Sequence, residues 1–370
     1  MLFLRDILAM SAPLRLATLA TITGILLARP STAQTYTSCN PTQQQCPSNP
    51  ALGRSISVDF TAGASKEFTA EGNPTYGSDG VSFTVSAGGD APQLHSNWYI
   101  MFGKYEITMK AAPGAGIVSS SVLQSDDLDE IDWEWLGAQN DEVQTNYFGK
   151  GQTTTYDRAT VVDADNTQGD FHTYTVEWTE EQIVWQVDGQ TSRVLKASDA
   201  NGQFPQTPCQ IRFGSWSGGD SSNPQGTVSW SQGPTDYSDG PFSMVVSKIS
   251  VVDYSTGSSY AYGDRSGSWD SIMSDGGRVN GNVGGTVVDS PDPTVTTAPG
   301  SSIAPAWQQP SGSMTLTYTN YPGLPSGWSV NPTTGKVVPP SAAPVIDIPI
   351  RFVCVVAASL AGSSLLGFWL

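Results

Sequence analysis

The sequence predicts an all-β protein, a jelly-roll sandwich of two antiparallel sheets. The chain of 370 residues contains 38 Gly and 25 Pro but only 14% charged residues, a composition rich in turn formers. Over residues 56–271, short runs alternate apolar and polar side chains with a period of two. No stretch of that region stands out with the amphipathic period of a helix. Many short strands separated by turns are typical of a sandwich built from two sheets.

The strands follow one another along the chain with turn residues between them. The alternating runs are "VSFTVS" (81–86), "YEITMKA" (105–111), "TYTVEW" (173–178), "IVWQVDG" (183–189), "QIRFGSW" (210–216) and "MVVSKISVVDY" (244–254). The third and fourth runs flank Thr179 to Gln182 and predict a hairpin. The stretch 217–226, "SGGDSSNPQG", is rich in Gly, Asn and Pro and predicts a loop.

The sequences at both ends of the chain predict segments that are removed by proteolytic processing. Residues 16–28 are apolar and follow Arg5 and Arg15, so residues 1–33 are predicted to be a secretory signal peptide rather than a buried N-terminal helix. Residues 352–370 are apolar as well, and Ser341 is the first of three small residues that precede them. This arrangement predicts attachment of a GPI anchor at Ser341 and removal of 342–370. A tail-anchored membrane helix is the alternative.

Between the two signals the composition divides the chain into a folded domain and a stalk. The jelly-roll domain is predicted over 34–275, where the strands lie. Residues 276–341 lack a periodic apolar pattern and are rich in Ser, Thr, Pro and Gly, which is typical of a linker. The aromatic residues between 314 and 330 leave open whether that part folds.

Secretion permits disulfides, and the four cysteines suggest one. Cys39 and Cys46 flank a short loop and are predicted to pair, whereas Cys354 lies in the tail that would be removed. Cys209 is then a thiol, expected to be buried in a strand. No cysteine or histidine spacing indicates zinc, and no cofactor or metal is predicted.

The net charge of −17 constrains the partners. An acidic surface disfavours nucleic acid and anionic membranes, so that contact with a membrane is predicted through a lipid anchor only. Neutral ligands remain open, and the 11 Trp, 13 Tyr and 12 Phe residues suit a groove in which sugars stack. The protein is expected to be a monomer.

Residues 129–135, "DEIDWEW", contain three carboxylates spaced by two residues. In a strand, Glu130, Asp132 and Glu134 share one face, and Ile131, Trp133 and Trp135 share the other. A solvated strand face is one interpretation, but like charges on one face destabilise a strand. A calcium site using Asp126, Asp127 and Asp129 is another, although the spacing is not that of an EF-hand loop.

Glycoside chemistry is the interpretation that uses all three carboxylates. A retaining glycosidase needs one ionised carboxylate as nucleophile and one protonated carboxyl group as acid, and crowding raises the pKa of at least one member. On a flat strand, however, residues four apart lie about 13 Å apart at Cα, whereas a retaining pair needs about 5–5.5 Å between carboxyl groups. Either the strand curves, or Asp132 takes one of the two roles.

The motif resembles the Glu-x-Asp-x-Glu active site of glycoside hydrolase family 16. The stretch 96–137, "SNWYIMFGKYEITMKAAPGAGIVSSSVLQSDDLDEIDWEWLG", resembles the fungal Crh group of cell-wall chitin–glucan transglycosylases. So do "GKGQTTTYDR" (149–158), "QTPCQIRFGSWSGGD" (206–220) and "DYSTGSSYAYGDRSGSWDSI" (253–272). The resemblance extends over roughly 39–275, and several separate motifs fall in the same order.

The resemblance implies a jelly roll with a concave substrate groove and a role for each carboxylate. Glu130 matches the nucleophile, Glu134 the acid/base and Asp132 the auxiliary carboxylate that orients the nucleophile. The implied reaction cleaves a chitin donor, holds it as a covalent glycosyl-enzyme and transfers it to a β-glucan acceptor. A chitin or β-glucan hydrolase on the same scaffold is one alternative. A carbohydrate-binding wall protein without turnover is another.

Candidate substrate-binding residues come from pattern and resemblance together. Arg212 and Trp216 are four apart in "QIRFGSW" and share a strand face, where a Trp can stack a pyranose ring. Burial of Trp216 in the core is the alternative. The resemblance implies that Arg212, Trp216 and Thr227 line the chitin site together with Glu134. Further groove candidates are Gln124, Asn146 and Tyr147. His172 is predicted to be structural.

Overall fold

The computed structural model describes residues 36–283, and beyond them only the backbone of Ser329–Val330 and Val337–Val338. The predicted signal peptide, most of the stalk, Ser341 and the C-terminal tail lie outside the described residues. Within 36–283, no helix has the length and apolar character needed to span a membrane. The described part of the chain is nearly all β-structure, as predicted.

The strands agree with the predicted runs within a few residues at each end. Their bounds are β1 (Asn49–Pro50), β2 (Ser55–Asp59), β3 (Phe68–Glu71), β4 (Thr75–Gly77), β5 (Gly80–Val85), β6 (Gln93–Ile100), β7 (Gly103–Lys110), β8 (Ile117–Ser125), β9 (Glu130–Leu136), β10 (Glu142–Phe148), β11 (Thr160–Asp163), β12 (His172–Trp178), β13 (Gln182–Val187), β14 (Gln190–Lys196), β15 (Cys209–Ser217), β16 (Phe242–Asp253), β17 (Ser259–Tyr262), β18 (Ile272–Ser274), β19 (Ser329–Val330) and β20 (Val337–Val338).

The short helical elements lie in the connections between strands. They are the α-helix α1 (Gln225–Trp230) and the 3-10 turns Phe60–Ala62, Ala197–Asp199, Tyr237–Asp239 and Trp269–Ser271. No sequence pattern indicates α1, because six residues are too short to display a helical period.

Two antiparallel sheets form the sandwich. The seven-stranded sheet has the order β11-β10-β9-β8-β15-β6-β3, and the eight-stranded sheet has the order β14-β13-β12-β7-β16-β5-β4 with β2 paired to β16. The predicted hairpin is the turn between β12 and β13, which pair from Tyr174 with Val187 to Trp178 with Ile183. A small sheet, β1-β17-β18, and the hairpin β19-β20 complete the strand pairs.

The core lies between the two large sheets and is rich in aromatic rings. Trp133 and Trp135 of β9 stack at 6.2 Å between ring centroids. Tyr174 of the other sheet packs edge-on against both, at 5.4 and 4.6 Å. These contacts pack the aromatic face of β9 against the eight-stranded sheet. The opposite face of β9 therefore lies on the outer side of the sandwich.

The two cysteine predictions that fall within residues 36–283 are confirmed. A disulfide joins Cys39 and Cys46. Cys209 is a buried free thiol at the start of β15. The Nδ1 atom of His172 lies 2.7 Å from a carboxylate oxygen of Asp188, so that this histidine ties β12 to the turn that follows β13. His172 lies on the eight-stranded sheet, whereas the three carboxylates of β9 lie on the seven-stranded sheet.

The described fold continues to residue 283. The side-chain amide of Asn282 donates to the carbonyl oxygen of Asp253 at 2.7 Å. That of Asn280 donates to Glu180 at 2.6 Å. The first residues of the segment predicted to be a stalk are therefore bonded to the sandwich.

Candidate active site

Strand β9 presents its carboxylates on one face, as its alternation predicts. Ile131, Trp133 and Trp135 are fully buried in the core. Glu130 and Glu134 are partly exposed at either end of the opposite face. Asp132 lies between them and is only 2% exposed. The middle carboxylate, Asp132, is thus buried beneath the surface of this face, and the two glutamates remain accessible to solvent.

The neighbouring strands surround each carboxylate with a different set of side chains. Strand pairing places Glu130 between Phe148 of β10 and Gln124 of β8. Asp132 lies between Asn146 and Val122, and Glu134 between Gln144 and Ser120. Because directly paired residues of antiparallel strands point to the same side, these side chains line the carboxylate face. This outer surface of the seven-stranded sheet is called the carboxylate face below.

Burial and mutual repulsion raise the pKa of two of the carboxyl groups. The pKa of Asp132 lies well above its ordinary value, first because the group is buried and then because Glu130 and Glu134 are negatively charged. Asp132 is hydrogen-bonded to Glu130, and the protonated Asp132 is the donor. Burial, followed by the charge of Glu130, raises the pKa of Glu134 to about 8. Asp132 and Glu134 therefore keep their protons to higher pH than ordinary carboxyl groups do.

The turn that leads into β9 is fixed by buried acidic side chains. Asp129 accepts hydrogen bonds from the main-chain N–H groups of Lys150 and Gln206 and from the hydroxyl of Thr207. Asp127 accepts from the hydroxyls of Ser125 and Thr207. Protein donors thus occupy both oxygens of Asp129 and one oxygen of Asp127, and the ammonium group of Lys150 lies 4.0 Å from the other oxygen of Asp127. Within residues 36–283, no cluster of His, Cys, Asp and Glu side chains is arranged to hold a metal ion.

The structure brings Arg212 and Trp216 to the carboxylate face. They lie on β15, where partly exposed residues alternate with buried ones. Arg212 pairs with Val122 of β8, and Trp216 pairs with Val118. The core cluster does not include Trp216. The interpretation of Trp216 as a core residue is therefore wrong, and the shared face of Arg212 and Trp216 is confirmed.

Trp230 is a site residue that the sequence did not reveal. Its ring stacks on Trp216 with 6.2 Å between centroids and 25° between planes. Its indole N–H donates to the side-chain oxygen of Gln144 at 3.0 Å, and Gln144 is the strand neighbour of Glu134. Helix α1 supplies Trp230 together with Thr227, which is partly buried. The two indole rings form a tryptophan pair at the Glu134 end of the carboxylate face.

The remaining groove candidates divide between the two faces of the sheet. Gln124 and Asn146 lie beside Glu130 and Asp132 on the carboxylate face. The side-chain amide of Gln124 also donates to the carbonyl oxygen of Tyr36, at 3.5 Å, at the start of the described chain. Tyr147 was predicted wrongly. It pairs with Ile131, belongs to the core cluster and is only 6% exposed, so Phe148 occupies the groove position instead.

Comparison with known proteins identifies the chain's relatives. The model of the family "Glycosyl hydrolases family 16" matches residues 62–232. Crh-like protein 4 of Botryotinia fuckeliana is 54% identical over 345 residues, which cover 88% of this chain and 92% of that protein. Crh-like protein 4 of Aspergillus fumigatus is 51% identical over 332 residues, which cover 84% of this chain and 74% of that protein.

A solved structure agrees in fold as well as in sequence. The structure described as Crh5 transglycosylase in complex with NAG superposes with a TM-score of 0.63 and 50% sequence identity. The match covers 64% of this chain and all of that chain. The extent of the match corresponds to a single β-sandwich domain.

Proposed function

The chain belongs to the Crh-like proteins of glycosyl hydrolases family 16 and is an enzyme of glycosyl transfer, and on this premise we propose that it moves chitin chains onto β-glucan. The observation that carries the proposal is the arrangement of the carboxylate face. Glu130 and Glu134 lie at its accessible ends with the buried Asp132 between them, and burial together with the charge of Glu130 raises the pKa of Glu134 to about 8. A retaining mechanism requires this combination of an acid and a nucleophile.

In the first step, Glu130 attacks the anomeric carbon of the chitin donor. The bond from that carbon to the glycosidic oxygen breaks, and Glu134 gives its proton to the departing oxygen. The hydrogen bond from Asp132 holds the Glu130 carboxylate in one orientation during the attack. The products are a shortened chain with a free hydroxyl group and a glycosyl ester on Glu130.

In the second step, Glu134 acts as a base. Esterification removes the negative charge of Glu130, which is one of the two causes that raise the pKa of Glu134. Glu134 is already ionised after giving up its proton, and its lowered pKa keeps it so until an acceptor hydroxyl arrives. It then takes the proton of that hydroxyl, whose oxygen attacks the anomeric carbon and releases Glu130. Two displacements give net retention of configuration.

The tryptophan pair and Arg212 are proposed to bind the donor. Stacked indole rings present a flat apolar surface, which suits the face of a pyranose ring. The Arg212 guanidinium lies on the same strand face and donates from Nε to Gln210 at 3.1 Å. Its other N–H groups can donate to sugar hydroxyls or to acetamido carbonyls. Thr227 adds a hydroxyl from the same helix that supplies Trp230.

The proposed setting is the cell wall. A cleaved signal peptide over 1–33, the stalk over 276–341 and a GPI anchor at Ser341 would hold a monomeric domain outside the cell, where both polysaccharides lie. The anchor would be its only membrane contact. The acidic charge of the chain agrees with neutral polysaccharide ligands rather than nucleic acid.

Product analysis tests the proposal. The secreted protein is incubated with chitin oligosaccharides and a fluorescent β-glucan oligosaccharide, and the labelled products are separated by mass. Growth of the labelled acceptor by N-acetylglucosamine units is expected for the wild type and for the control variant Glu142→Gln, which removes a carboxylate from β10. Glu130→Gln should give no growth. New reducing ends without acceptor growth would indicate a hydrolase, and no turnover would indicate a binding protein.

A further inference from the structure

A buried arginine lies behind the catalytic strand without a carboxylate partner. Arg193 of β14 is 4% exposed, and no ion pair joins it to any carboxylate of residues 36–283. A cation removed from water costs stability unless other groups compensate for its charge. Its position therefore calls for a compensating charge elsewhere in the fold.

A β-bulge directs Arg193 into the sandwich. Trp185 pairs with Arg193, but the next residue, Gln186, pairs with Thr191, so Ser192 is extra. Without the bulge, Thr191 and Arg193 would share a strand face. The extra residue places Thr191 beside Gln186 and Arg193 beside the buried Trp185. The bulge thus turns the side chain of Arg193 toward the core, because a β-bulge changes the direction in which the following side chains point.

The guanidinium reaches across the core to the sheet that carries the carboxylates. It donates to the carbonyl oxygen and the hydroxyl of Thr145 at 2.7 and 3.0 Å, and to the carbonyl oxygen of Arg158 at 2.7 Å. Thr145 is paired with Trp133 on β9. The guanidinium also lies over the rings of Trp185 and Tyr147, at 4.8 and 5.6 Å. These neutral acceptors and rings hold the cation in place and leave its charge intact.

Trp185 links this arginine to the middle residue of the catalytic strand. Its indole N–H donates to the main-chain carbonyl oxygen of Asp132 at 3.2 Å, and the Arg193 guanidinium lies over its ring in a cation–π contact. The titratable groups that face Arg193 are Asp132, through the thickness of the sheet, and the Tyr147 phenol. Arg158 offers only its carbonyl oxygen, because its own guanidinium lies over Phe148. Of these, only Asp132 belongs to the carboxylate face.

We propose that Arg193 is the counter-charge of the catalytic strand: it acts through the sheet on Asp132, and through Asp132 on the two glutamates beside it, and thereby sets the pH range of the reaction. It is a positioning residue, because it touches no substrate. The proposal rests on the function proposed above. The charge of Arg193 opposes the burial and repulsion that raise the pKa of Asp132. Its loss should therefore move proton release from the whole coupled group to higher pH.

The test is the pH profile of transfer by Arg193→Met, with Arg193→Lys as the variant that retains a cation. Both limbs of the profile of kcat/KM are expected to move to higher pH by about half to one unit in Arg193→Met. Arg193→Lys should keep its acidic limb within about 0.2 unit of the wild type, because the lysine is charged there. Trp185→Phe removes the indole N–H without changing charge and should leave both limbs in place.

A folded Arg193→Met protein whose profile coincides with that of the wild type would overturn the proposal. If Arg193→Met does not fold, Arg193→Gln replaces it, because its amide can still donate to a carbonyl oxygen. Failure of both to fold would assign Arg193 to stability alone and also overturn the proposal. Failure of the proposed function would appear differently, as a wild-type protein that does not use the chitin donor.

Discussion

Replacing Glu130 by Gln should lower the pKa of Glu134 without restoring it to the ordinary value. The pKa of Glu134 is about 8, against 4.5 for an ordinary glutamate, and burial is the larger cause. The charge of Glu130 is the second cause. Glu130→Gln removes that charge and leaves the burial unchanged, so it separates the two contributions.

The size of the change follows from the repulsion between the two groups. Carboxyl groups at the separation of a retaining pair, about 5.5 Å, repel by roughly 2 kcal/mol, or about 1.5 pKa units, at an effective dielectric constant of about 30 for a partly exposed face. The pKa of Glu134 is therefore expected to fall to roughly 6.5 in Glu130→Gln, which leaves burial as the larger cause. The same fall is what esterification of Glu130 would produce in the reaction, and it would prepare Glu134 to act as the base.

Carbon NMR of protein labelled at the glutamate carboxyl groups measures this pKa directly. The signal of Glu134 is assigned by its loss in Glu134→Gln and followed between pH 4 and pH 10. Glu142→Gln is the control, since it removes another carboxylate of the same sheet and should leave the pKa of Glu134 near 8. A pKa that stays near 8 in Glu130→Gln would refute the repulsion, and a fall to the ordinary value would refute the role of burial.

Three further predictions concern stability, binding and the auxiliary carboxylate. Burial raises the pKa of Glu134 to about 8 and those of Asp129 and Asp253 to about 7, so the folded protein holds protons that the unfolded chain releases. Stability should therefore fall as the pH rises from 5 to 8, and Tm measured by calorimetry should follow; a Tm that rises over this range would contradict the assignment. Trp230→Ala removes a stacked ring and the hydrogen bond to Gln144, and should raise KM for chitin about tenfold with little change in kcat, whereas Trp230→Phe should keep most of the stacking; a loss confined to kcat would contradict a binding role. Asp132→Asn should lower kcat by roughly 10²-fold at unchanged Tm. The amide can still donate a hydrogen bond to Glu130, but it cannot release or take up a proton when Glu130 changes its charge during the reaction. A variant with the kcat of the wild type would exclude the auxiliary role.

The fold and the catalytic strand could be predicted because both depend on local alternation. A period of two determines which residues of β9 share a face, so the positions of Glu130, Asp132 and Glu134 followed from their spacing alone. The disulfide between Cys39 and Cys46 followed from the same kind of short-range information.

The parts that could not be predicted depend on strand pairing and on irregular elements. Thr145, Asn146 and Tyr147 are buried in succession, and only their register against β9 shows that Tyr147 faces the core. Trp230 lies on a helix of six residues, inside a stretch with the composition of a loop. Arg193 enters the core because of a bulge at Ser192, which no local pattern marks.

Trapping of the glycosyl-enzyme tests the central claim, the division of labour among the three carboxylates. Glu134→Gln is incubated with a chitin oligosaccharide that carries a reactive leaving group, so that the first step needs no acid and the second step lacks its base. Digestion and mass spectrometry should then find the sugar esterified to Glu130. A sugar on Asp132, or no covalent adduct while the leaving group is released, would contradict the proposed mechanism.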